Sequence, residues 1–237
     1  MLKSVLKTLL GRNQRAGSSE ISESFLRELK KTWLQELGIQ TVLDLGANVG
    51  DWSQAALGAF PEAEIYAFEP LPLVYQKLTE RFKGEKRFHA FDLAITDKEG
   101  LASFHQNEFS PSSSLLNMRQ THKDHFKFTS NEKSTEVKIS KLDTVFENIP
   151  LKENILIKMD VQGSESNVIR GGAKTVSRAK VVILETSFET LYENEPLFDG
   201  IYKTMVNLGF KYHGQMGQLN SPVNSLPLQA DCIFLRS

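Results

Sequence analysis

Between residues 41 and 186 short apolar runs alternate with segments whose apolar positions return every three or four residues. Thr41–Leu45, Ile65–Glu69, Arg87–Asp92, Ile155–Asp160 and Val181–Glu185 read as strands, whereas Asp51–Phe60, Pro72–Phe82 and a segment from about Glu165 carry the helical period. Strands of nearly continuous apolar residues, separated by helices, predict parallel βαβ units and a doubly wound α/β sheet covered on both faces. Leu197–Leu208 predicts a further helix ending at Gly209. Two strands follow, Phe210–His213 and Ala230–Leu235, and the glycine- and proline-containing loop between them predicts an antiparallel hairpin that closes the sheet.

The ends and the middle of the chain depart from this alternation. Phe25, Leu26, Leu29, Trp33, Leu34 and Leu37 predict one amphipathic helix that stops at Gly38 and covers an edge or opening of the sheet. Residues 11–20, GRNQRAGSSE, read as a linker. Residues 1–16 carry Lys3, Lys7, Arg12 and Arg15 but no acid, with Leu2, Val5, Leu6, Leu9 and Leu10 at helical spacing. This short basic amphipathic helix suits either packing on its own domain or peripheral contact with an anionic membrane surface or partner. In the middle, Ala102–His105 and Glu136–Ser140 look like strands, while Glu108–Lys133 is polar, includes the Ser110–Ser114 run, and is long enough to be a lid or a disordered segment.

Composition changes this picture little. The chain has 237 residues, 40% hydrophobic and 24% charged, which is enough for one substantial core. A formal net charge of −1 gives no electrostatic footprint for nucleic acid, so no nucleic-acid partner is expected. The lone cysteine, Cys232, has no intrachain disulfide partner, which suits a reducing cytoplasm. No stretch approaches the roughly 18 uninterrupted apolar residues of a membrane span. The lysines that interrupt the first apolar segment, with no small-residue cleavage site after it, argue against a secretory signal.

The sharpest local feature is Asp44-Leu45-Gly46-Ala47-Asn48-Val49-Gly50, set where a strand turns into a helix. Gly46 allows a tight turn with a ligand against the backbone, and Gly50 lets the helix approach. Glu69 ends the next strand, where a carboxylate can accept both ribose hydroxyls of a nucleoside. A dinucleotide site would have glycine where Asn48 stands, and no G-K-[ST] phosphate loop occurs. D-x-G-x-x-x-G with a downstream Glu instead resembles the motif of class I methyltransferases, which bind S-adenosylmethionine. The resemblance implies a seven-stranded Rossmann-like sheet with an antiparallel last strand. It also implies that Asp44 orients the loop and the methionine amino group, that Gly46, Ala47 and Asn48 line the methionyl moiety, and that Asp92 and Leu93 lie beside the adenine. The chain then divides into a helical extension, 1–38, and a cofactor-binding catalytic domain, 39–237.

Over residues 41–186 the order of LDLGANVG, AFEP (67–70), AITDKEG (94–100), SSSL (112–115), SKLDTV (140–145), IKMDVQGSE (157–165), Gly171-Gly172-Ala173 and ILET (183–186) resembles the FkbM family of methyltransferases. That resemblance implies O-methylation of a hydroxyl on a sugar, glycolipid or secondary metabolite, and it tips Ser113 and Ser114 toward substrate contact. One departure is Gln162, where the family often has an acid. From the residues themselves, Ile155–Met159 delivers Asp160 to the carboxyl edge of the sheet and Val181–Leu184 delivers Glu185. A neutral alcohol is a poor nucleophile, so a base is needed. Asp160 is the first choice, with Glu185 as second catalytic carboxylate and with Glu165 and His122 as further acceptor contacts. The competing reading of Asp160 and Glu165 is helix capping, which also favours acids. Asp160 with Glu185 could bind a divalent metal, yet no dense acidic or histidine cluster occurs, so S-adenosylmethionine is the expected cofactor without a metal. Lys158 is expected to pair with a carboxylate, and Trp52 to pack.

The alternatives are N-methylation of a small amine and a non-catalytic scaffold of the same fold; the intact Asp44, Gly46, Gly50 and Glu69 speak against the scaffold. A small-molecule or glycan acceptor is expected, its specificity residing in Glu108–Lys133, the N-terminal helices and the Gln215–Pro227 loop. The sequence sets no oligomeric state.

Overall fold

The structure, a computed structural model, describes residues 18–107, 114–116, 132–193 and 195–236. The basic segment 1–16 lies outside them, as do Ser113, His122 and most of the long polar segment that contains them. Helix α1 (Ser18–Leu29) begins inside the expected linker, and its Ile21 and Phe25 lie one turn apart on the face toward the domain. The single helix expected through Leu37 is broken. Lys31 is extended, and α2 (Thr32–Gln35) is a separate turn. The reason is phase: Leu29 and Leu34 are both fully buried, yet residues five apart cannot share one face of a continuous helix.

The alternation that follows forms as expected: β1 (Thr41–Leu45), α3 (Asp51–Ala59), β2 (Glu64–Phe68), α4 (Pro72–Arg81) and β3 (Phe88–Phe91), after which comes a two-residue strand that the sequence did not predict, β4 (Ala94–Ile95). Next come β5 (Gly100–Asn107), β6 (Glu132–Ser140), α5 (Leu142–Val145), β7 (Ile155–Met159), α6 (Glu165–Gly171), α7 (Ala173–Ser177) and β8 (Ala179–Ser187). The chain ends with α8 (Phe198–Asn207), β9 (Phe210–Asn220) and β10 (Pro227–Arg236). The main sheet has seven strands in the order β3-β2-β1-β7-β8-β10-β9, and β10 runs antiparallel to both of its neighbours. One apolar cluster fills each face of this sheet.

Two features differ from the sequence reading. Residues 215–220, expected in a loop, are strand, because β9 is the edge of the sheet and its mostly exposed face carries polar residues that mask the strand pattern. The strand-like stretches around residues 102–105 and 136–140 lengthen into β5 and β6, which pair antiparallel and form, with β4, a separate three-stranded sheet. Phe104, Val137 and Ile139 of that sheet pack on Leu71 and Val74. Among the described residues no helix is long and apolar enough to cross a membrane.

Register is what builds the site. Leu45, Phe68 and Met159 stand level across β2, β1 and β7. Gly46, Glu69 and Asp160, one residue further on, therefore leave the carboxyl edge side by side, where doubly wound sheets bind ligands.

Candidate active site

The loop after β1 is bent by left-handed backbone at Gly46 (φ 81°), Asn48 (φ 51°) and Gly50 (φ 85°). It is anchored from both neighbouring strands. The Gly46 and Ala47 amides donate to the Phe68 carbonyl at 3.1 and 2.9 Å, and the Asp160 amide donates to the Leu45 carbonyl at 3.0 Å. A Cβ on Gly46 would lie 2.1 Å from the Asp160 carbonyl oxygen, so the β1 and β7 loops touch backbone to backbone here. At Gly50 a Cβ would meet the Phe82 ring at 2.4 Å.

Beneath this loop lies a buried ion pair. The Lys158 Nζ sits 3.0 Å from Asp44 Oδ1 and donates to the Gly46 carbonyl at 2.7 Å, and Ser53 Oγ donates to Asp44 Oδ2 at 2.6 Å. The two charged side chains are 2% and 0% exposed. Asp44 thus holds the loop from behind and does not line the cavity above it, and Lys158 takes the carboxylate partner expected of it.

That cavity has a volume of about 240 Å³. Gly46, Ala47, Asn48 and Val49 line one side, Glu69, Pro70, Leu71 and Leu93 another, and Asp160, Val161 and Gln162 a third. Ile21 and Phe25 of α1, with Phe104 and Leu115, complete the wall. Glu69 accepts from the Asn48 amide at 3.0 Å and from the Leu71 amide at 2.9 Å, one bond on each oxygen. Burial pushes its carboxyl up to about 7, against the pull of those two amides. Each oxygen keeps a second acceptor site.

The expected site residues fall into two groups. Gly46, Ala47, Asn48, Glu69, Leu93 and Asp160 line the cavity; Trp52 does so too, although it is almost fully buried. Gly50, Asp92, Ser114, Glu165 and Glu185 do not. Asp92 is half exposed and paired with Lys138 at 2.6 Å. Ser114 is buried, donating to the Gln162 carbonyl at 2.6 Å and accepting from the Leu116 amide at 3.0 Å. Glu165 is buried, accepts from the Val161 amide at 3.1 Å, and is pushed by burial up to about 8. Glu185 lies behind Gln162, well above the ordinary carboxylate range because of burial and then of neighbouring Asp160, Asp231 and Glu165. Asp160 does not cap α6, which starts at Glu165 with Ser164 as its preceding residue, whereas Glu165 does stand in the first turn of that helix.

The sequence reading missed the polar hub behind Asp160. The Gln162 carboxamide donates to Asp160 Oδ1 at 2.6 Å and to Glu185 Oε2 at 2.9 Å, and accepts from the Tyr192 hydroxyl at 2.8 Å. Gln229 adds a 3.0 Å bond to the same Glu185 oxygen, and Glu195 accepts from the Tyr192 amide at 3.0 Å. Nothing in the local sequence around Tyr192 signals this contact, which joins residues thirty positions apart. Among the described residues no group of three or more His, Cys, Asp or Glu could hold a metal ion.

A sheet in this order, closed by an antiparallel strand and carrying a glycine-bent loop faced by an acid at the end of β2, defines the class I methyltransferase fold. Within that class, residues 44–212 match the methyltransferase FkbM domain, and the chain belongs to that family. It is 30% identical over 161 residues to the 2-O-methyltransferase NoeI of Sinorhizobium fredii, covering 65% of this chain and 66% of that protein. It is 29% identical over 143 residues to the hexuronic acid methyltransferase AglP of Haloferax volcanii, covering 60% and 54%. The chain thus spans less than two thirds of either relative's length. Among solved structures, the magnesium protoporphyrin IX methyltransferase ChlM of Synechocystis PCC 6803, determined with bound SAM, superposes over 98% of this chain and 89% of its own with a TM-score of 0.51 and 12% identity. That likeness concerns the fold.

Proposed function

We propose that this protein transfers a methyl group from S-adenosylmethionine to a hydroxyl of a sugar-containing acceptor. The observation that carries the reading is the charge distribution of one cavity. Glu69 and Asp160 flank the glycine loop from the strands on either side of β1, and the cation in the lining, Lys158, is committed to Asp44 and the Gly46 carbonyl. An acidic lining of this kind suits a cationic sulfonium nucleoside without phosphate and disfavours a pyrophosphate. Glu69 would accept the ribose hydroxyls, the polar backbone of Gly46–Asn48 would hold the amino-acid end, and the apolar surface of Leu71 and Leu93 would face the base. Bound there, the cofactor supplies an electrophilic methyl carbon.

Asp160 would then take the proton of the acceptor hydroxyl as oxygen attacks, and Glu185 would act on it through Gln162 rather than by touching substrate. NoeI, a 2-O-methyltransferase, supports oxygen as the acceptor atom, and AglP, a hexuronic acid methyltransferase, supports a sugar as its carrier. A small glycan in the cytoplasm, rather than nucleic acid, is the acceptor we infer; the acidic lining supports the first part and the buried free thiol of Cys232 the second.

Calorimetric titration with S-adenosylhomocysteine, followed by mass spectrometry of hexuronic acid and neutral hexose glycosides incubated with protein and S-adenosylmethionine, tests this. Micromolar binding and a gain of one methyl on an oxygen, lost in Asp160→Asn, are expected. Absence of nucleoside binding would overturn the assignment.

A further inference from the structure

Gln162 stands in a conformation that its residue type seldom adopts. Its φ is 55°, in the left-handed region, and no glycine relieves it. Such backbone persists only when its surroundings fix it. Here the Ser114 hydroxyl donates to the Gln162 carbonyl at 2.6 Å, and the side chain is 3% exposed. The carboxamide has two hydrogens and one oxygen to place. One hydrogen goes to Asp160, the other to Glu185, and the oxygen takes the proton of the buried Tyr192 hydroxyl. A glutamate of the same length would have one hydrogen at most for two carboxylates, and an apolar residue none. An amide is the group of this size that can separate the two acids while bonding to both, and Tyr192 sets which end of it faces them.

Asp160 is the one of these two acids that opens on the cavity. Among the described residues its other charged partner is the Lys158 ammonium, which is 3.9 Å from Oδ2 and is committed to Asp44. We infer that Gln162 is a positioning residue that aims the Asp160 carboxylate at the transferable methyl of the bound nucleoside, which the acceptor hydroxyl also approaches, so that the site distinguishes the charged sulfonium of S-adenosylmethionine from the neutral thioether of the product. This rests on the proposed reading of the cavity. A carboxylate held toward that methyl attracts the charged substrate and releases the neutral product, whereas one free to turn away does neither selectively.

The test is the ratio of two affinities, for S-adenosylmethionine and for S-adenosylhomocysteine, measured by calorimetry without acceptor. Gln162→Met keeps the volume and removes both donors. It is expected to lower the ratio about tenfold, the scale of a lost hydrogen bond to a charged group. Gln162→Asn is one methylene shorter and tolerates the left-handed backbone, so it preserves the fold while its amide cannot span both acids. Its ratio is expected to fall in the same direction. A purely architectural role would weaken both ligands alike. An unchanged ratio in Gln162→Asn, or in a folded Gln162→Met, overturns the inference while the cofactor site stands. A wild-type protein that binds neither ligand overturns the site and the inference together.

Discussion

Gly46→Ala separates two effects that are usually confounded, and a second glycine provides the control. Gly84, in the turn after α4, has φ 89°, much like the 81° of Gly46, but a Cβ there would meet nothing within 4 Å. Gly84→Ala therefore measures the conformational cost alone, about 1–2 kcal/mol for a left-handed non-glycine residue. At Gly46 the added Cβ would also lie 2.1 Å from the Asp160 carbonyl oxygen and 3.0 Å from its carbon. Both are backbone atoms, so no rotamer change relieves the clash and the β1 and β7 loops must part by about 1 Å. The Asp160 amide bond to Leu45 and the Lys158 bond to the Gly46 carbonyl are strained by that movement, at about 1 kcal/mol each.

The sum for Gly46→Ala is about 3–4 kcal/mol, against about 1–2 for Gly84→Ala. At about 2–4 °C per kcal/mol for a chain of this size, the two melting temperatures should fall by about 10 °C and about 4 °C. Nucleoside affinity should separate further. A displacement of about 1 Å across the cavity floor should weaken S-adenosylhomocysteine at least about tenfold in Gly46→Ala and leave Gly84→Ala at the wild-type value. Differential scanning calorimetry and isothermal titration read the two quantities. Equal melting temperatures and equal affinities for the two variants would refute the backbone contact on which the site's geometry depends.

Three further outcomes are expected. Lys158→Met strands the Asp44 charge in the core and should cost about 3–5 kcal/mol in urea unfolding, with the double variant Asp44→Asn/Lys158→Met recovering part of it; a single variant within about 1 kcal/mol of wild type would contradict the pairing. Glu69 ionises in the folded protein at about 7, and its carboxylate form is the better acceptor for ribose hydroxyls, so S-adenosylhomocysteine affinity should rise from pH 6 to pH 8; Glu69→Gln should bind weakly and without that dependence. Glu165 holds its proton to about 8 when folded but only to about 4.5 when unfolded, so the folded state binds the extra proton between these values. The unfolding free energy should accordingly fall as pH rises through that window, and Glu165→Gln should flatten the slope; an unaltered slope in that variant would exclude Glu165 as its source.

What the sequence revealed and what it hid follow from how far apart the interacting residues lie. Parallel strands buried on both faces read as apolar runs, so β1, β2, β7 and β8 were legible, and with them the carboxyl edge that carries Gly46, Glu69 and Asp160. The edge strand β9 was read short because its exposed polar residues imitate a loop. The hub of Gln162, Tyr192 and Glu185 was not legible as a hub, since it depends on how two loops fold over the sheet rather than on any period. For the same reason Glu185 was expected at the chemistry and lies behind it.

One long-range contact had a sequence signal all the same. Asp44 is the fourth of five residues in TVLDL and Lys158 the fourth of five in ILIKM, each the lone charge in an otherwise nearly apolar strand. A single charge in a strand buried on both faces needs a partner, and opposite charges at the same distance from two strand ends can meet only if those strands are neighbours in register. The structure pairs Asp44 with Lys158 directly across β1 and β7. The two misplaced charges thus specify the adjacency that a connection of more than a hundred residues otherwise leaves open, and the same adjacency sets Asp160 against the glycine loop.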